Sequence, residues 1–357
     1  MRTEAEKLLL QRLHDDLRAA GGGPRRRGLS DLLHASLRGR ALPLSSGGAA
    51  CRAYLTELDA LHRTELCTSL LFERLERKMR TLEQLRAEAG GDWNETFYRL
   101  YFRTLSDRDN RAAYLELARR LPCRLLLRER LTPRAIEAML LGTSGLLACY
   151  RSEDPYIFGL KSEYNHLCTK YDLQPMAAGQ WQLRHVLPAN HPVLRLTQAA
   201  EFFRQDDQLL ERTLACRSAE EVQRLFCLEG PAYWQQHYHD APADAGRKRL
   251  GHFKAHIIGI NLVAVLQFAY GSQIGNEELR DRALTLLEQL PAEENRYMRA
   301  WQQTGLRPRD AFESQALLQL ATEHCDADGC DDCPVARRMM RRLRERERQD
   351  DTKQPIR

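Results

Sequence analysis

The stretch YLTELDALHRTELCTSLLFERLERKMRTLEQLRAE, residues 54–88, decides the fold class. Leu55, Leu58, Leu61, Leu66, Leu70, Leu71 and Leu75 recur at intervals that mostly keep to one stripe of a 3.6-residue helix. Gly90 and Gly91 follow, where a helix ends on a residue free to take positive φ. Asp92, directly behind them, predicts an N-cap for a helix carrying Trp93, Phe97, Leu100, Tyr101 and Leu105. Towards the N-terminus, Leu8, Leu9, Leu13 and Leu17 form a similar stripe that ends at Gly21-Gly22-Gly23-Pro24, and residues 42–50 (LPLSSGGAA) read as a second loose region. Towards the C-terminus the helical period returns over 110–120, 132–141, 160–171, 191–204, 209–214, 219–225, 254–270, 276–288, 293–304 and 308–324. Strand-like alternation is weak everywhere. The expected fold is all-α, a multi-helix orthogonal array with a C-terminal cysteine knuckle. N-terminal helices and flexible linkers are expected over 1–50, a helical core domain over 51–324, the Cys-rich knuckle with a basic helix over 325–344, and a disordered tail over 345–357.

The knuckle is the strongest chemical signal. Cys325, Cys330 and Cys333 form C-x4-C-x2-C inside EHCDADGCDDCPVARR, whereas the other seven of the ten cysteines are scattered singly. Short turns let such thiolates converge on one centre, and a metal site ordinarily takes four ligands. The spacing suits an iron–sulfur cluster or zinc. The fourth ligand is not visible in the pattern: His324 adjoins Cys325 awkwardly, and Cys216 or Cys227 would have to arrive by tertiary packing. A cysteine turn without metal, reduced or disulfide-paired, is the competing reading.

All but seven of the 54 basic residues are arginine, yet the net charge is only +5. Most of these guanidinium groups therefore read as solvated helix faces balanced by neighbouring Asp and Glu. Arg337, Arg338, Arg341 and Arg342 are different, because they cluster directly after the cysteines and suit a phosphate backbone. Arg184, Asn190 and Arg195 make a second candidate, an anion site in which Asn190 caps the helix that follows Pro192. The alternative for both arginines is pairing with buried carboxylates such as Glu137 or Glu163. His252 with His256, and His237 through Asp240, have spacings that a metal or a proton transfer can use, but surface or capping roles are the commoner fate.

No Gly-rich phosphate loop, Walker pattern or G-x-S-x-G elbow is present, and no catalytic residue is assigned. No run of about 18 apolar residues marks a membrane span. The charged N-terminus is unlike a secretory signal, and scattered cysteines fit a reducing compartment, so a cytoplasmic protein without a membrane partner is expected.

LFERLERK (71–78), GGDWNETFYRLYFR (90–103), WQLRHVLPANHPVLRLTQAA (181–200), FAYG (268–271) and AFESQALLQLATEHCDADGCDDC (311–333) occur in this order. Together they resemble an uncharacterised bacterial family, domain of unknown function 2851, over about residues 51–337. The resemblance implies a preceding region with acidic strand motifs like those of a metal-dependent nuclease, and this chain starts after that region would have ended. It therefore implies no catalysis for these residues, and a separate protein carrying that region as one partner. The expected function is a non-catalytic helical accessory module associated with nucleic acid. The alternative is a structural or protein-interaction scaffold, a remnant or split half of a nuclease-like protein.

Overall fold

The computed structural model describes residues 49–237, 249–327 and 329–351. The N-terminal helices expected within 1–48, His239 and Asp240, and the end of the tail lie outside the described residues. The described chain is all-α, with no strand and one isolated bridge between Glu229 and Arg249. It divides into two compact units: unit 1 joins residues up to Arg77 with those from Pro291 onward, and unit 2 runs from Lys78 to Leu290. This partition differs from the single core expected over 51–324.

Unit 1 contains α1 (Ala49–Glu57), the first part of α2 (Ala60–Glu88), α3 (Arg296–Gln303), α4 (Ala311–Gln319) and α5 (Pro334–Asp351). The predicted long helix is broken at Leu58-Asp59, where the Asp59 carboxylate accepts from the His62 amide at 3.0 Å. The AFESQ motif supplies the buried polar ties of this unit. Glu313, 2% exposed, accepts from Arg63 at 2.7 Å and from Arg309 Nε at 2.6 Å. Gln315 accepts from Arg74 Nε at 2.7 Å and donates to Glu293 at 2.6 Å. Each buried polar atom in this network thus meets a partner, as burial requires. Helix α5 continues through Asp351, beyond the Glu345 at which a disordered tail is expected.

Unit 2 is built around α6 (Trp93–Leu105). Its Asp92 cap forms as predicted, accepting from the Asn94 and Glu95 amides at 2.8 and 3.2 Å. Gly90 and Gly91 before it take φ of +66° and +87°. Helices α7 (Arg111–Arg120) and α8 (Cys123–Glu129) follow, and the sequence period missed α8 because it is only two turns long. Glu95 explains it, since its carboxylate accepts the Cys123 amide at 2.9 Å and so caps α8 from another helix. The unit continues through α9 (Ala135–Thr143), α10 (Pro155–Tyr171), α11 (Pro192–Gln205), α12 (Leu209–Ala215), α13 (Ala219–Phe226) and the short α14 (Trp234–His237).

Phe97, Tyr98, Tyr101 and Phe102 of α6 meet Phe202 and Phe203 of α11 and Phe226 of α13 in one aromatic cluster, and every one of these rings is at most 2% exposed. Tyr101 and Phe202 stack at 4.8 Å, and Tyr98 meets Phe203 edge-on at 5.2 Å. Helix α15 (His252–Ile274) is apolar and long enough to cross a membrane, but most of it is buried inside this unit, so its apolarity is that of a core helix. A π-helical stretch, Gly259–Val263, interrupts it. Helix α16 (Glu277–Gln289) packs back along α15 through the FAYG motif. A Cβ on Gly271 would stand 2.9 Å from the Asn276 carbonyl, so only glycine permits this approach.

Candidate functional site

The three clustered cysteines lie in unit 1, between α4 and α5. Helix α4 widens into a π-helical turn, Leu320–Cys325, that delivers Cys325 to the corner. The Asp326 amide then closes on the Ala321 carbonyl at 2.8 Å, Gly329 on His324 at 2.7 Å, and Cys333 on Cys330 at 3.2 Å. π turns of this kind concentrate at functional sites. Cys333 is 5% exposed; burial raises its thiol, while the amides of Ala336 and Val335 in the first turn of α5 point at the sulfur and lower it. Amide donors at a helix N-terminus favour a thiolate, but burial is the larger effect and the Cys333 thiol stays above its ordinary value. The cysteines are all free thiols in this structure.

A fourth thiol arrives from an element that spacing does not connect to the corner. Helix α1 packs against α5, and Arg342 of α5 lies over the Tyr54 ring at 5.1 Å. Cys51, one turn before Tyr54, thereby comes beside Cys333 and Cys330. Burial raises the Cys51 thiol to about 12, and Cys333 followed by Cys330 push it in the same direction. The only sequence signal for Cys51 is its identity. The ring of His324, by contrast, is taken by Glu73 at 2.9 Å. Cys216 and Cys227 belong to unit 2, where Cys216 Sγ donates to the Arg212 carbonyl at 3.4 Å.

The basic helix is largely occupied by its own chain. Arg337 pairs with Asp332, and Arg338 with Glu65 at 3.0 Å. Arg342 rests on Tyr54, and Arg341 is exposed.

The second candidate comes together only in part. Arg195 is 4% exposed and donates to the Asn190 and Gln198 side-chain oxygens, each at 3.0 Å. Its partners are amides, not the Glu137 or Glu163 carboxylate. Asn190 lies in a 3-10 turn, Pro188–Asn190, and the N-cap of α11 is His191 with no side-chain cap bond. The expected Asn190 cap is therefore corrected: the carboxamide is turned to Arg195 instead. Arg184 is exposed. His252 and His256 are bridged by one residue, Gln223, at 2.8 and 2.9 Å, which engages one nitrogen of each ring.

Lys254 stands near Arg195 and donates to the Thr104 and Ser106 carbonyls at 2.7 and 3.3 Å. Burial lowers its ammonium to about 7, Arg195 adds to the shift, and Asp107 opposes it. Because the folded state binds this proton less tightly than the unfolded chain, the penalty is fully present below pH 7. It is relieved as pH rises from about 7 towards the ordinary lysine value. Urea unfolding at pH 7 and pH 9.5 is expected to show a gain of ~2 kcal/mol that Lys254→Met abolishes. An equal gain in the variant would assign it to other groups.

The fold and these sites define an all-α protein of two compact units with a C-terminal cysteine corner. A family model described as "Protein of unknown function (DUF2851)" matches residues 33–296, and the chain belongs to that family. The matched span includes Cys51 and ends before Cys325. No curated protein and no solved structure matches the chain.

Proposed function

We propose that this chain is a non-catalytic helical accessory module associated with nucleic acid, and that Cys51, Cys325, Cys330 and Cys333 hold one metal centre, an iron–sulfur cluster or zinc. The observation that supports the centre is the approach of Cys51 on α1 to Cys330 and Cys333, with the first amides of α5 aimed at Cys333. Four thiolates are a sufficient soft ligand set for either group. Among the described residues no three His, Cys, Asp or Glu side chains stand at metal-ligating distances. What supports a centre here is the identity of the four thiols and their neighbourhood. Such a centre would tie α1, α4 and α5 together and fix the helix that carries the arginines.

The nucleic-acid part rests on the basic helix that starts directly after Cys333. The pair made by Arg337 is solvent-exposed on both sides. Exposed pairs contribute about 1 kcal/mol or less, so a phosphate can displace the carboxylate. Anisotropy titrations of a labelled single- or double-stranded oligonucleotide test this reading. Affinity is expected to fall steeply with salt, and Ala at positions 337, 338, 341 and 342 should reduce the log–log slope by about 3. Binding that ignores salt, or no binding, would discard it.

A specific observation favours a second reading, the protein-interaction scaffold. Three of the four arginines already serve Asp332, Glu65 and Tyr54. On that reading the same quadruple variant loses stability and the parent protein has no polyanion affinity.

A further inference from the structure

Unit 2 contains a cleft of about 460 Å³ at the start of α9, within the range of small-molecule sites. Arg130, Arg134, Glu137, Tyr156, Glu201 and Arg204 supply its polar lining. Glu137 forms its buried end, with 4% exposure. The Tyr156 hydroxyl donates to it at 2.9 Å, and Trp234 Nε1 donates to its other oxygen. These two donors orient the carboxyl but bring no positive charge. Among the described residues no Lys or Arg nitrogen stands within ion-pair distance of it. Burial holds the Glu137 carboxyl up at about 7 against the pull of Trp234, Tyr156 and Arg134.

Arg134 is the complementary case. It is exposed at the mouth, precedes α9 with φ of +62°, and has no carboxylate partner among the described residues. Its guanidinium lies 4.4 Å over the Tyr156 ring, whose stacking with Tyr233 at 4.1 Å fixes the platform. A left-handed backbone at an arginine is costly, and such strain persists at sites that use the side chain. Arg204 lines the same cleft, held by Glu201 at 2.6 Å, and Arg130 is held by Asp207 at 3.0 Å. The cleft thus holds an arginine and a buried carboxyl that feel each other's charge but make no direct ion pair, so each keeps room for a ligand group.

We propose that this cleft binds a small molecule carrying an oxyanion, carboxylate or phosphate, at Arg134 and Arg204, and an amine that reaches Glu137. Arginine forks match either oxyanion, and an ammonium donates to the Glu137 carboxylate while supplying the missing charge. The site lies wholly within unit 2 and does not depend on the metal centre.

Calorimetric titration of the full chain with phosphoethanolamine, β-alanine and inorganic phosphate tests it. Phosphoethanolamine or β-alanine is expected to bind at least about tenfold tighter than phosphate alone, and which of the two binds distinguishes a phosphate from a carboxylate. Arg134→Gln should remove binding of both. Glu137→Gln keeps an acceptor oxygen for Trp234 and offers an NH2 donor to the Tyr156 hydroxyl, so it should fold and should lose the preference for the amine while retaining weak phosphate binding. Arg204→Gln, at an exposed side chain, gives a second reading of the oxyanion end. Absence of saturable binding at millimolar concentration, or binding indifferent to Arg134→Gln, overturns the proposal.

Discussion

Phe203→Ala is expected to destabilise unit 2 by about 4 kcal/mol, the cost of emptying a fully buried phenyl site. The ring is 0% exposed and stands at the centre of the aromatic cluster. It meets Tyr98, Phe202 and Tyr101 edge-on at 5.2, 5.2 and 5.3 Å and stacks obliquely on Phe102 at 6.1 Å. Removing it leaves a void walled by rigid rings that cannot collapse inward, and it also forfeits the edge-to-face contacts. Phe158→Ala is the matched control, because that ring is 63% exposed. Its change should stay within about 0.5 kcal/mol. Urea unfolding followed by tryptophan fluorescence measures both, and equal effects would mean that the cluster is not the core of the unit.

Glu313→Ala is expected to cost unit 1 about 3 kcal/mol, because a buried carboxylate and its charge-assisted bonds disappear together. Its oxygens accept from the Arg63 and Arg309 guanidinium groups and from the Arg309 amide at 3.0 Å. Both arginines reach solvent, with side chains 29% and 71% exposed, so the loss falls below that of a fully buried pair. Glu313→Gln retains an acceptor and should cost about half as much. The same helix leads into the π turn that delivers Cys325, so Glu313→Ala should also reduce whatever the cysteine corner retains. A stability change below about 0.5 kcal/mol would show that the polar network is incidental.

Most of the helices were legible because an apolar stripe at 3.6-residue spacing has few other uses. Leu66, Leu70, Leu71 and Leu75 of α2 are buried and Asp92 caps α6 as expected, whereas Leu61 of the same stripe faces solvent. Short or tertiary-dependent features were not legible. Helix α8 depends on Glu95 reaching across from α6, and the Asn190 carboxamide chose Arg195 over the α11 amides. The π turns in α15 and after α4 have no local sequence signature, since they record packing rather than propensity. The partition into two units was hidden for a similar reason: unit 1 joins the early and late parts of the chain, and no composition shift marks Arg77 or Pro291. The cysteine trio could be read from spacing, but Cys51 could not. Nothing but the packing of α1 on α5 distinguishes it from the other scattered cysteines.

The most direct test of the account is metal and sulfide content, with the visible spectrum, of the full chain purified without oxygen, beside Cys51→Ser and Cys149→Ser. Cys149 is exposed and belongs to unit 2, so its replacement should change nothing. The parent protein should carry one centre per chain, either iron with sulfide and a broad visible absorption or zinc without colour. Cys51→Ser should lose most of it while Cys149→Ser keeps it. A parent protein free of metal, or a Cys51→Ser variant as fully loaded as the parent, would contradict a four-cysteine centre.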